Sequence, residues 1–152
     1  MKKIFLLFCV VTFCLNIHGQ VSPQVYDSTL AKELGADEYG MKSYIFVLLL
    51  PGSNNLEKGP GRDSIFRGHL KNIGRLADSG KLVIAGPFED NPKSYRGIFI
   101  LNVKTISEAK EMLQTDPAVR EKLLNPEFYE WYGSAALGEY LKVQKSITKK
   151  NF

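Results

Sequence analysis

The chain has 152 residues, of which 44% are hydrophobic and 24% charged, with a formal net charge of +4. That is room for one domain of ordinary soluble composition, and it excludes a disordered chain, a collagen-like repeat and a polytopic membrane protein. A chain of this size buries enough of its unfolded surface to fold without a metal or disulfide staple.

Lys2 and Lys3 precede an apolar run from Ile4 to Leu15, which is followed by Asn16-Ile17-His18-Gly19-Gln20. A basic head, an apolar segment of about 12 residues and a polar exit with a small residue describe a secretory signal peptide, residues 1–19, cleaved after Gly19. A bilayer span takes about 20 apolar residues, so no membrane anchor is expected after cleavage. The expectation is an exported protein, periplasmic or secreted. Cys9 and Cys14, the two cysteines, both lie in this segment. The large Phe8 and Phe13 in front of them do not suit lipid attachment. The mature chain then has no disulfide, thiol nucleophile or thiolate metal site. Loss of Lys2 and Lys3 takes the net charge from +4 to +2.

Residues 20–41 read as an N-terminal arm with one short helix. Asp27 or Ser28 caps it, Leu30 and Leu34 share a face, and Gly35 suits a left-handed stop. Residues 44–50 are continuously apolar and end at Pro51-Gly52, the pattern of a buried strand. Residues 53–61 form a loop. Over 62–79 the spacing turns helical: Ile65, Phe66, His69, Leu70, Ile73, Leu76 and Ala77 recur at steps of three and four. Arg62 or Asp63 opens this helix and Gly80 ends it. Residues 81–85 read as a short strand broken by Gly86-Pro87, and 95–103 as a longer one. In the longer strand Ile98 and Ile100 share one face, and Phe99 and Leu101 the other.

Thr105-Ile106-Ser107-Glu108 is a capping box, and Ala109, Met112 and Leu113 supply the buried face of the helix it opens. Asp116-Pro117 breaks that helix and starts another turn through Leu124, which Asn125-Pro126 ends. Residues 128–132 are an aromatic strand of period two. Residues 142–152 form a basic tail with Lys142, Lys145, Lys149 and Lys150, read as a solvated end. It lacks the interleaved aromatics of a single-strand binder, so no nucleic-acid partner is expected.

The order β-α-β-β-α-β predicts an α+β, ferredoxin-like domain over residues 42–141, a four-stranded antiparallel sheet with both helices on one face. Its strands are apolar on both sides, so the open sheet face needs a cover. A second copy of the chain is the simplest one, which predicts a homodimer.

His69, the stretch Gly80-Lys81-Leu82-Val83-Ile84-Ala85-Gly86-Pro87-Phe88, then Arg96-Gly97-Ile98-Phe99-Ile100-Leu101 and Asp116-Pro117-Ala118-Val119 together resemble the YCII-related (YciI-like) domain family. The similarity runs over about residues 42–137. The closing Trp131-Tyr132-Gly133-Ser134-Ala135-Ala136-Leu137 resembles a subgroup of exported members. The resemblance implies ferredoxin-like units paired into a dimeric α/β barrel. It also implies a cleft holding a histidine and an aspartate, here His69 and Asp116. Some family members act on ring-opened or chlorinated aromatic compounds by proton transfer and elimination. Export and the N-terminal arm depart from the commonest, cytoplasmic form.

Once His18 is removed, His69 is the one histidine left. It sits on the apolar stripe of its helix and so points at the sheet. An imidazole changes charge near neutral pH and can serve as a general base; a core histidine satisfied by a backbone carbonyl fits the same position. Asp116 can hold the proton on one ring nitrogen of His69, or cap the turn that Pro117 begins, or use its two oxygens for both. Trp131 and Tyr132 are candidates to line a pocket for a small apolar or aromatic ligand, and equally suit a core or dimer interface. Ser134 can donate a hydrogen bond to a ligand, but no second histidine exists to activate it for hydrolysis. With one histidine and no cysteine, no metal is expected, and no phosphate-cradling glycine loop calls for a nucleotide. The expected activity is cofactor-free acid–base chemistry of an isomerase, lyase or dehydrochlorinase kind. The alternatives are a non-catalytic small-molecule binding module and a structural homodimer.

Overall fold

The computed structural model describes residues 25–150; the expected signal peptide lies outside the described residues. The elements run α1 (Ser28–Leu34), β1 (Met41–Pro51), α2 (Pro60–Asp78), β2 (Leu82–Pro87), β3 (Gly97–Leu101), α3 (Ile106–Leu113), α4 (Pro117–Arg120), β4 (Leu124–Ser134), a 3-10 helix (Ala135–Glu139) and α5 (Tyr140–Ile147). The strands form one sheet in the order β2-β3-β1-β4, with every neighbouring pair antiparallel. This is the ferredoxin-like α+β arrangement expected from the sequence.

The sheet splits the strand side chains into two sets. Ile45, Val47 and Leu49 of β1 join Phe99 and Leu101 of β3 on one face, packed against Leu76 of α2, Ala109 and Leu113 of α3, and Val119 of α4. Each such side chain contributes on the order of 1.5–3 kcal/mol when fully buried. Ile98 and Ile100 lie on the opposite face, in register with Leu48 and Phe46. The alternation read from the sequence is therefore the one the sheet uses.

That second face is covered at one end by the chain itself. The Tyr44 hydroxyl donates to the Ser134 carbonyl at 2.9 Å, and Leu137 of the 3-10 helix packs on Tyr44, Val83 and Ile100. The Lys42 ammonium donates to the Leu34 carbonyl at 3.0 Å, which ties the end of α1 to the same region. Farther along, Phe46, Leu48, Ile84 and Ile98 are only half-buried, and Trp131 keeps 38% of its surface exposed. A second copy has less to cover than the sequence alone suggests.

Several boundaries differ from expectation for local reasons. Helix α2 begins two residues early, with Pro60 in its first turn and Gly59 as its cap. Neither Arg62 nor Asp63 opens it, because proline already fixes the helical φ and has no N–H to satisfy. Strand β4 starts at Leu124 and passes through Pro126 opposite Leu49. A proline is tolerated there because β4 is an edge strand, whose outer side has no ladder to complete. Strand β3 is shorter than 95–103 at both ends, running from Gly97 to Leu101, and a Cβ at position 97 would meet the Gly86 carbonyl oxygen at 2.6 Å. In the capping box Thr105 accepts from the Glu108 N–H at 3.1 Å, but Glu108 reaches back to the Lys104 N–H rather than to that of Thr105. Residues 142–147, expected as part of a solvated end, belong to helix α5 and remain exposed, and Lys145 bonds Asp78 at 3.0 Å.

The link after β1 is pinned to the end of α4. Gly52 N–H donates to the Leu123 carbonyl and Asn54 N–H to the Lys122 carbonyl, each at 3.0 Å. A Cβ at position 52 would overlap the Lys122 carbonyl oxygen. Gly52→Ala is expected to cost about 1–3 kcal/mol by forcing these two segments apart, read as a lower urea midpoint at unchanged slope.

Candidate active site

Helix α2 carries His69 on the stripe that also holds Ile65, Ile73 and Leu76, so its ring enters the layer between helix and sheet. Phe66 meets the ring edge-on at 5.9 Å and Phe99 stacks on it at 6.0 Å between centroids. The two aromatic walls leave the imidazole little rotational freedom. Its side chain keeps 10% of its surface open.

Asp116 stands in the link between α3 and α4 and is 0% exposed. Its Oδ2 is 2.7 Å from His69 Nδ1. Its Oδ1 accepts from the Ala118 N–H at 2.9 Å, the capping bond of α4. The two roles foreseen for this carboxylate coexist, one on each oxygen. A buried carboxylate is costly unless paired; here a ring N–H and a backbone N–H both satisfy it. The cap also aims the carboxylate, because Pro117 and the first turn of α4 fix where Oδ2 points.

The pairing selects a tautomer. In the neutral ring, an ionised carboxylate on Nδ1 requires the proton there, which leaves the lone pair on Nε2. Among the described residues, Nε2 has no hydrogen-bond partner. The arrangement can accept a proton at Nε2 while Asp116 stabilises the resulting imidazolium.

One helical turn on, Asn72 extends this polar layer. Its Oδ1 accepts from Arg75 at 2.7 Å and from the Thr115 hydroxyl at 3.1 Å. Its Nδ2 is, among the described residues, the one buried side-chain nitrogen or oxygen with no partner. The sequence reading passed over Asn72 and Thr115. The available signal was a polar residue on the apolar stripe of α2, three positions after His69.

The other candidate residues do not join the pair. Trp131 lies on the opposite sheet face, its ring 5.8 Å from that of Tyr44 and laid across Gly133. Tyr132 and Ser134 point to the helix side at the far end of β4, in register with Ser43 and Met41. The Tyr132 hydroxyl donates to the Asp37 carboxylate, and Ser134 Oγ accepts from the Ala136 N–H at 3.3 Å. The Tyr132 bond, together with the Met41 N–H, holds the Asp37 carboxyl below its ordinary value, and the same bond raises the Tyr132 phenol. These two side chains fasten the segment that leads into β1. Among the described residues no three His, Cys, Asp or Glu side chains gather to hold a metal ion.

No family model matches the sequence, and no curated protein is similar to it. Among solved structures, the chain is similar to a 5-chloro-2-hydroxyhydroquinone dehydrochlorinase from Burkholderia phenoliruptrix, in complex with 2,5-dihydroxybenzoquinone. The identity is 17%, the overlap covers 57% of this chain and 92% of that one, and the TM-score is 0.41. It is the strand order of the chain itself that makes the fold ferredoxin-like.

Removing the Asp116 carboxylate leaves two donors without a partner. Asp116→Ala is expected to lower stability by about 1–3 kcal/mol or more, whereas Asp116→Asn keeps an oxygen for the Ala118 N–H and loses less; urea unfolding of both variants measures the difference. The Asp37 bond gives a separate pH signature. Its contribution to stability is present above the ordinary carboxyl value of 3.8 and is lost as acid protonates Asp37 below it. In Tyr132→Phe the Asp37 carboxyl should titrate higher, toward 3.8, which carboxyl carbon NMR resolves.

Proposed function

We propose that this protein is a cofactor-free acid–base catalyst of the isomerase, lyase or dehydrochlorinase kind, in which His69 is the general base and Asp116 orients it. The observation that carries this reading is the 2.7 Å bond between His69 Nδ1 and a buried carboxylate whose other oxygen is already committed to a backbone N–H. A structural histidine needs only a backbone carbonyl; a fixed tautomer with a free Nε2 is what proton abstraction demands.

The step follows from that geometry. Nε2 takes a proton from a carbon beside a carbonyl, and the electrons of the broken C–H bond move into the new double bond. In an elimination they then expel a leaving group from the neighbouring carbon. In an isomerisation the imidazolium returns the proton at another carbon. No electron acceptor or metal is required by either course.

The resemblance to the YCII-related family, the open half of the second sheet face and the basic, apolar start of the chain support the wider reading: an exported protein that pairs sheet to sheet as a dimeric α/β barrel. Phe46, Leu48, Ile98 and the half-exposed Tyr129 form an apolar patch that such pairing would remove from water. Trp131, the only tryptophan, lies beside this patch.

Two measurements test the proposal. Chloride release and solvent-deuterium exchange are followed with a panel of chlorinated dihydroxybenzenes and ring-opened aromatic acids. A substrate turned over by the protein should react at least about 100-fold more slowly with His69→Gln, and Asp116→Asn should fall between. An unchanged His69→Gln rate, or nitrogen NMR placing the ring proton on Nε2, sinks the catalytic reading. For the dimer, sedimentation should give twice the monomer mass, and Trp131 emission should shift to the red on dilution. A monomer with concentration-independent emission removes the paired-sheet reading.

A further inference from the structure

A cleft lies on the helix side of the sheet, away from the His69–Asp116 pair. It has a volume of about 770 Å³ and is bounded by the Pro51–Ser53 link, the last turn of α3, Lys122 and the first half of β4. That volume is in the range of small-molecule sites. Its walls include neither His69 nor Asp116.

Its chemistry is one-signed. Phe128 and Pro126 are its part-exposed apolar members, backed by the buried Leu113 and Val119, and Lys110 and Lys122 are its charged members, with no carboxylate among the lining residues. The Lys110 ammonium stands 5.8 Å from the centre of the Phe128 ring, so this exposed side chain borders the apolar wall. Among the described residues neither lysine is in an ion pair; the nearby Glu121 bonds Arg120 instead.

Lys122 is also placed at a cost. It ends α4 in the left-handed region, at φ 57, with its N–H on the Val119 carbonyl and the next N–H on the Ala118 carbonyl. Glycine is the unstrained residue at this position of a helix stop. The backbone there is locked by the bonds to Gly52 and Asn54, and the Asn54 side chain donates to the Glu121 carbonyl at 2.9 Å. A long cation thus stands on a rigid, strained support at the edge of an apolar cleft. Strained positions of this type are retained where the side chain has work to do.

We infer that this cleft is a binding site for a small aromatic carboxylate. Its ring lies against Phe128 and Pro126, and its carboxylate is held between Lys110 and Lys122, with the Gln114 amide as a further donor. The site is independent of the catalytic reading, since no residue is shared between them.

Benzoate is the probe, with benzamide as its neutral counterpart and acetate as the anion without a ring. Each is titrated into the intact protein at constant ionic strength while backbone amide NMR is recorded. Benzoate should give saturable shifts at Gly52, Gln114 and Asn125, with benzamide and acetate each about tenfold weaker or more. Lys110→Gln should weaken benzoate about tenfold. Lys122→Gly is the sharper variant: relief of the left-handed strain should keep or raise its melting temperature while benzoate binding falls about tenfold. Equal binding of benzamide, shifts that never saturate, shifts confined to residues around His69, or full affinity in Lys122→Gly would each overturn the assignment.

Discussion

The Asp116 carboxylate is the point on which the helical layer turns. It is fully enclosed, so its charge must be answered within the protein, and the answers come from two different elements: a ring nitrogen on α2 and a backbone N–H on α4. Because both bonds use one side chain, neither helix can shift without leaving a buried charge partly unpaired. The cap and the candidate catalytic pair are one structural unit. Loss of the carboxylate would therefore disturb fold and chemistry together, and only a variant that keeps one oxygen separates them.

Around that unit the sheet divides labour between its faces. The helix face is closed by α2, α3 and α4 and holds the His69 ring between two phenylalanines. The other face is closed at one end by the 3-10 helix and the end of α1, and open at the other. The residues that tie down this closed end are ones that a reader of the sequence would assign to ligands. Tyr132 and Ser134 spend their polar atoms on Asp37 and on the backbone of the 3-10 helix, so they stabilise the approach to β1 and the exit from β4.

Much of this was legible beforehand where local chemistry is strong. The alternation in residues 98–101, the Asp27 and Thr105 caps and the glycine stops at 35 and 80 all act within a few residues of themselves. The His69–Asp116 contact was reachable only through resemblance, since the partners lie far apart in the chain and each has an adequate local explanation. What escaped was set by tertiary surroundings. Pro126 reads as the end of a helical turn until the strand is known to be an edge, and the helical form of residues 142–147 has no signal until the Asp78 contact of Lys145 is known. Asn72 gave no signal beyond its place on a stripe, because an amide becomes informative only when its partners are known.

The position of β1 has a consequence for how the chain acquires its structure. Among the described residues it is the first strand in chain order and one of the two central ones in the sheet. Its ladder with β4 begins at Leu124 and ends with Met41 opposite Ser134, so neither of its edges is occupied until much later segments exist. Closing such long loops is slow compared with local helix formation. In the interval β1 is an apolar strand with two unsatisfied edges, the type of segment that recruits other chains. Until residue 134 exists the ladder of β1 with β4 is incomplete, so the sheet can close only once almost all of the described chain has been made.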